Sequence, residues 1–92
     1  MGKKAWEDVI IVETNEIPGK KIIKTLGKVK TKVNAGEHDI MKLAKFRWEQ
    51  APIKLRKIAH KLGANAIIEV RYGYKGMDMV GEGTAVIIED ND

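Results

Sequence analysis

Regular structure begins with Val9-Ile10-Ile11-Val12, four β-branched residues in a row. An unbroken run of this kind predicts a strand covered on both faces, because a half-buried strand alternates apolar with polar positions. Thr14-Asn15-Glu16 then leads into Ile17-Pro18-Gly19. Pro18 suits the first turn of a helix, where its missing N–H costs nothing. Ile22, Ile23 and Leu26 fall on one helical face, with Lys20, Lys21 and Lys24 elsewhere, and Gly27 stands where a helix would stop. The spacing therefore predicts a helix over 18–26, too short to stand without packing. From Lys28 to Val33 the period changes to two. Val29, Thr31 and Val33 face inward, and Lys28, Lys30 and Lys32 face water, as on an edge strand that resists unwanted pairing.

A polar loop with Gly36 spans Asn34 to Asp39, and a long helix follows. Met41, Ala44, Trp48, Ala51, Leu55, Ile58, Ala59 and Leu62 keep spacings of three and four. Pro52 lies inside this stripe and removes the bond to the Trp48 carbonyl. Either one bent helix or two aligned helices would satisfy the pattern. Leu43, Phe46 and Ile53 form a second apolar stripe, more than a single-core monomer needs. Gly63 closes the helix. Ala64–Tyr74 reads as a strand with Ala66, Ile68, Val70 and Tyr72 on one face and Ile67, Glu69 and Arg71 on the other. Lys75–Val80 is a turn region, and Gly83–Glu89 the last strand, paired with the previous one as an antiparallel hairpin. The predicted fold is α+β, in the order β-α-β-α-β-β, with two helices on one face of an antiparallel sheet.

The chain has 92 residues, 43% of them apolar and 33% charged. That is one globular domain over residues 1–92, with 1–7 as an N-terminal extension and 89–92 as a polar tail. No Cys is present, which excludes disulfide scaffolds, zinc fingers, thiolate nucleophiles and iron–sulfur clusters. No Ser is present, which excludes serine triads. No apolar run approaches the roughly 20 residues that span a bilayer. The opening Met-Gly-Lys-Lys-Ala-Trp lacks a signal-peptide core, and Trp6 sits where myristoylation wants Ser or Thr. A cytoplasmic protein without membrane association is expected.

The net charge of +4 is unevenly laid out. Residues 1–19 balance at −2 and residues 62–92 at −4, while 20–61 carry thirteen Lys or Arg against Glu37, Asp39 and Glu49, a balance of +10. A basic middle suits a phosphate-bearing partner such as nucleic acid, or the acidic ends of a neighbouring copy. It also describes an ordinary solvated surface, and no aromatic residue interleaves the lysines of 28–33 as a stacking platform.

Local motifs for chemistry are few. Glu37-His38-Asp39 is the one local cluster of metal-ligand types, but neighbours in an extended loop point apart. Capping of the following helix is the favoured reading, and convergence of His38 would need several copies arranged symmetrically. His60 reads as a surface histidine near a helix end. Met77 and Met79 read as packing or contact residues. Pro18-Gly19-Lys20-Lys21 at a helix start would attract an anion weakly, yet lacks the P-loop pattern. Gly81-Glu82-Gly83 precedes a strand and so fails the dinucleotide context. Glu13 and Glu16 have no implied base beside them. Gly63-Ala64-Asn65-Ala66 reads as a helix stop and close packing. No catalytic residues, no metal ligands and no cofactor are assigned.

Three blocks carry a resemblance. They are Thr14-Asn15-Glu16-Ile17-Pro18-Gly19-Lys20-Lys21-Ile22 with Leu26-Gly27-Lys28-Val29, then Ala59-His60-Lys61-Leu62-Gly63-Ala64-Asn65-Ala66-Ile67-Ile68, and Gly83-Thr84-Ala85-Val86. In this order they resemble the YbjQ family over nearly the whole chain, with departures at Thr31-Lys32-Val33 and over 34–52. The resemblance implies a dodecin-like subunit closed into a ring-shaped homo-oligomer, a pentamer, and brings a heavy-metal-binding label. The resulting expectation is a non-enzymatic binding or scaffold ring that holds a metal or small ligand between subunits. The alternative is a nucleic-acid-associated protein using residues 20–61.

Overall fold

The computed structural model describes residues 5–34 and 40–90. A 3-10 turn at Ala5–Asp8 leads to β1 (Ile10–Ile11), and the long strand β2 runs Lys20–Asn34. Helix α1 (Ile40–Lys45) continues through a π turn, Phe46–Gln50, into α2 (Ala51–Lys61). Strands β3 (Ala66–Lys75) and β4 (Asp78–Asp90) follow. The sheet order is β1-β3-β4-β2. β4 is antiparallel to both β3 and β2, whereas β1 is parallel to β3. The fold is α+β, as expected, but its sheet is mixed and one helix, not two, packs on it. β1 is free to pair in parallel because β2 and the helix lie between it and β3 in the chain, so no tight turn dictates its direction.

The expected helix over 18–26 is absent. Pro18 and Gly19 are instead the centre of a β-turn, in which the Lys20 N–H donates to the Ile17 carbonyl at 3.0 Å and Gly19 has φ +77°. Proline followed by a left-handed glycine is the type II arrangement. Residues 20–26 extend from that turn as the first half of β2. Pairing with β4 shifts register between Ile22 and Lys24 and again between Thr25 and Gly27. Each irregularity breaks the period of two, which left Ile22, Ile23 and Leu26 spaced as on a helix. Beyond Gly27 the alternation is regular, with Val29 buried and Lys28, Lys30 and Lys32 exposed.

The long helix keeps its course past Pro52 by one extra residue. The Ala51 N–H donates to the Phe46 carbonyl, five residues back. This π turn absorbs the donor that Pro52 lacks and rotates what precedes it by about 100°. Phe46, Ala51, Leu55 and Ala59 make up the buried face, and all four side chains are 0% exposed. The expected stripe is therefore corrected before Pro52: Trp48 is 75% exposed, Met41 is exposed, and Phe46 replaces them in the core. Ile53 and Leu62 are exposed as well, and the Leu43 side chain lies outside the described residues.

β3 holds a bulge. Ile68 pairs with Thr84 and Arg71 with Glu82, so β3 spends one more residue than β4. Glu69, at φ 55°, and Val70 both send their N–H groups to the same side, to the Thr14 and Val12 carbonyls at 2.8 and 3.1 Å. The phase of β3 flips there. Val70 joins Ile67 under the helix, with Leu55, Ala59, Val29 and Ala85, and does not share the face of Ile68 as expected. Ala66, Ile68, Val86 and Ile88 form a second cluster on the opposite face, covered by Ile17 and Val12. Phe46, Ala51 and Met79 make a third under the π turn. The first strand is not covered on both faces, for Val9 is buried while Ile10 is exposed.

β4 starts earlier than expected, because the turn contracts to Gly76-Met77 with Lys75 opposite Asp78. It also ends later: Glu89 and Asp90 of the expected tail pair with Lys21 and Lys20. The Lys20 ammonium donates to the Asp90 carboxylate, and this hydrogen bond, followed by the lysine charge itself, holds Asp90 below the usual carboxylate range. A carboxylate lowered in this way supports the folded state at neutral pH and loses that contribution as pH falls through its folded value. The Asp90 carboxyl carbon should thus titrate below the ordinary value of about 3.9, and Lys20→Ala should bring it back up. An ordinary midpoint in the unsubstituted protein would contradict the pairing.

Candidate functional site

The π turn decides what stands beside the core. With Phe46 buried, Arg47 and Trp48 are carried to the flank of the helix that faces the chain leaving β1. That chain is fixed at Val12 and Thr14 by the two amides of the β3 bulge, which sets Glu13 between them. The result is a cleft of about 370 Å³ with Trp48, Pro52 and Tyr72 as its broad surfaces and Arg47, Arg56 and Glu13 as its charges.

The charged groups are positioned by distinct contacts. The Arg47 guanidinium carbon lies 5.5 Å from the Trp48 ring centre and 5.6 Å from that of Tyr72, within cation–π range of both. Its Nη2 donates to Glu13 Oε1 at 3.2 Å. Arg56 donates from Nε to the Val9 carbonyl at 2.9 Å, tying α2 to the start of β1. Burial raises the Tyr72 hydroxyl above the usual tyrosine range, and the nearby Glu13 charge adds to this against the opposing pull of Arg56 and Arg47. The hydroxyl therefore remains a donor at neutral pH. The arrangement offers flat apolar surface, two guanidinium groups and one carboxylate, which is chemistry for holding a ligand. No nucleophile–base pair is present in it.

The residues singled out by sequence take other places. Glu37-His38-Asp39 lies outside the described residues. His60 stands on the last turn of α2, beside a shallow depression shared with Asp8 and Asn65. Met79 is buried against Phe46 and Ala51, while Met77 is exposed at the hairpin tip, so the two do not converge. Lys20 begins a strand, which removes the helix N-terminus invoked for an anion there. Lys28, Lys30 and Lys32 remain exposed on β2, but Glu82 lies across from Lys30 and Asp78 reaches Lys32 at 3.8 Å. Gly81 and Gly83 sit in β4 under the helix and the bulge, where they admit close neighbours. Glu13, which in the sequence has only the carboxylate Glu16 nearby, is paired in the structure with Arg47.

Sequence reasoning passed over Arg47, Arg56, Tyr72 and the role of Asn65. Asn65 extends the ladder with its side chain: Nδ2 donates to the Ile88 carbonyl at 2.9 Å, and Oδ1 accepts from the Ile88 N–H at 2.7 Å. Its amide thus stands in for a peptide unit where β3 begins. The helix-stop glycine before it was a usable signal, since an Asn just past such a stop has donor and acceptor ready for the next strand.

Heavy metals favour thiolates and imidazoles. The chain has no Cys, and the described residues hold no group of three or more His, Asp or Glu side chains placed for a metal ion. The donor set of the described residues does not fit a heavy-metal centre. No helix among the described residues is long and apolar enough to cross a membrane.

A helix laid on a mixed four-stranded sheet, with a charged aromatic cleft at its π turn, defines the class: α+β proteins with one helix packed on a mixed sheet. Comparison with known proteins is consistent with this and narrower. Residues 40–89 match the family model described as "Putative heavy-metal-binding". A UPF0145 protein of Thermoplasma volcanium is 31% identical, with 90% of this chain and 87% of the relative aligned. A UPF0145 protein of Thermoplasma acidophilum is also 31% identical, over 90% of this chain and 89% of the relative. The chain belongs to the YbjQ family. A crystal structure of a DUF74-family protein of unknown function from Pediococcus pentosaceus shares the fold, with TM-score 0.54 and 23% identity over 88% of this chain and 98% of that one. The names of these relatives assign no activity.

Proposed function

We propose that this chain is a non-enzymatic binding subunit that works as a closed homo-oligomer, a pentameric ring, holding a small ligand. The supporting observation is the edge strand β2. It is fifteen residues long, pairs on one side with β4, and leaves Ile22 39% and Ile23 51% exposed. A long edge with exposed isoleucines invites pairing with another copy unless something covers it. A ring supplies that cover without leaving a free end. The lysines of the same strand are the observation that favours the alternative, nucleic-acid association through residues 20–61.

A native mass spectrum of untagged protein, never exposed to a nickel column, tests this reading. The expected result is one discrete multiple of the subunit mass. A monomer at micromolar concentration overturns the ring. A metal held between subunits would add its own mass to the assembly, and bound nucleic acid would add a heterogeneous one. A ring with no adduct speaks against a resident metal and leaves the scaffold and nucleic-acid readings standing.

A further inference from the structure

We infer that the cleft at the π turn binds a small flat anion, a ring system bearing a carboxylate or phosphate group, and that Glu13 is its built-in competitor. The inference deepens the reading of the chain as a binding subunit and rests on it.

Trp48 supplies the first argument. It is one of the chain's two tryptophans, yet the π turn expels it from the core and leaves it three-quarters exposed beside the cleft. An indole so placed contributes little to folding but offers a rigid stacking surface at small entropic cost. Pro52 and Tyr72 extend that apolar surface. A cleft of about 370 Å³ lies at the small end of the range for ligand sites, which suits one or two fused rings.

Charge supplies the second. Arg47 is held against the faces of Trp48 and Tyr72, so its planar donor fork is oriented before any ligand arrives. Arg56, anchored through Nε to the Val9 carbonyl, puts a second guanidinium in the wall. Glu13 is the one carboxylate among the cleft's charges, so the balance is cationic. A metal ion or an amine would meet two guanidiniums against one carboxylate. A carboxylate or phosphate would meet the geometry that Arg binds in a bidentate manner.

Glu13 supplies the third. It already gives Arg47 the ligand's functional group, a carboxylate oxygen at 3.2 Å. Both partners are about half exposed or more, and a single-contact surface pair of this kind is weak. An incoming anion that also stacks on Trp48 gains contacts that Glu13 cannot make. Displacing Glu13 costs little, and removing its charge should help the ligand.

The test titrates the full-length chain with naphthalene-2-carboxylate and with adenosine monophosphate, each against its uncharged counterpart, naphthalene-2-methanol and adenosine. The readout is the Trp48 indole N–H resonance. At least one anion should shift it saturably, with its uncharged counterpart weaker by about tenfold or more, the loss expected for one charge-assisted contact. The preferred anion identifies carboxylate or phosphate as the recognised group. Glu13→Gln should tighten that binding severalfold. Arg47→Gln should weaken it by about tenfold, and Arg47→Lys, which keeps the charge but not the fork, should recover only part. The idea is overturned if neither anion moves Trp48, if the uncharged compounds bind as well, or if Glu13→Gln leaves affinity unchanged. The same samples are weighed intact. A ring that ignores both anions defeats this cleft and spares the oligomer, whereas a monomer that binds one does the reverse.

Discussion

Replacing Phe46 by Ala should lower the unfolding free energy by about 3–5 kcal/mol, the range for a buried aromatic truncated to a methyl group. Trp48→Ala, two residues on, should stay within about 0.5 kcal/mol, as for exposed positions generally. The contrast follows from one hydrogen bond. Ala51 bonds to Phe46 and not to Arg47, so Phe46 lies over the sheet with Ala51 and Met79 while Trp48 faces water. A domain of this size has a total stability of about 5–14 kcal/mol, so the first substitution removes a large share. Urea unfolding of both variants checks it. A costly Trp48→Ala with a mild Phe46→Ala would mean that the helix runs past Pro52 without the π turn.

Gly83→Ala is expected to cost about 1–3 kcal/mol through overpacking. A Cβ at this position would come within 2.7 Å of Ile67 Cγ2, 2.8 Å of Val70 Cγ2 and 3.1 Å of the Ile68 carbonyl oxygen. Ile67 and Val70 are both in the core under the helix, and the third neighbour is backbone, so none of them can swing clear. The bulge creates this crowding by placing two consecutive inward residues of β3 around one position of β4. Gly73→Ala is the control: nothing lies within 4 Å of its Cβ, and its melting temperature should stay near that of the unsubstituted protein. Backbone entropy alone would favour both substitutions, so equal losses at the two glycines would contradict the close approach at Gly83.

What sequence revealed and what it concealed divide along one physical line. Elements with unbroken periodicity were legible, namely the lysine-faced half of β2 and α2 from Ala51 onward, and the β3–β4 hairpin was legible as a pairing though not in the phase of β3. Elements carrying an inserted residue were not. The irregular pairing of β2 gave Ile22, Ile23 and Leu26 a helical spacing, although their β-branched neighbours suit an extended chain. The π turn moved Phe46 from a surplus stripe into the core, and the β3 bulge moved Val70 to the other face of the sheet. A period count assumes constant phase, and each of these insertions resets it. The cleft was hidden for the same reason. Glu13, Arg47, Arg56 and Tyr72 share no spacing in the chain, and three of them meet because a bulge or a π turn aims their element.

The two-residue parallel strand β1 also bears on how the chain acquires its shape. The β3–β4 hairpin closes locally, with Lys75 opposite Asp78, whereas Ile10 must find Ala66 across most of the sequence. Loop-closure entropy has to be met before such a distant contact returns anything. Docking of the N-terminal segment therefore belongs late on the folding route, after the hairpin and helix have formed the groove that receives it. Until it docks, the outer edge of β3 over Ala66–Val70 is bare, a second unpaired edge open to capture by a neighbour.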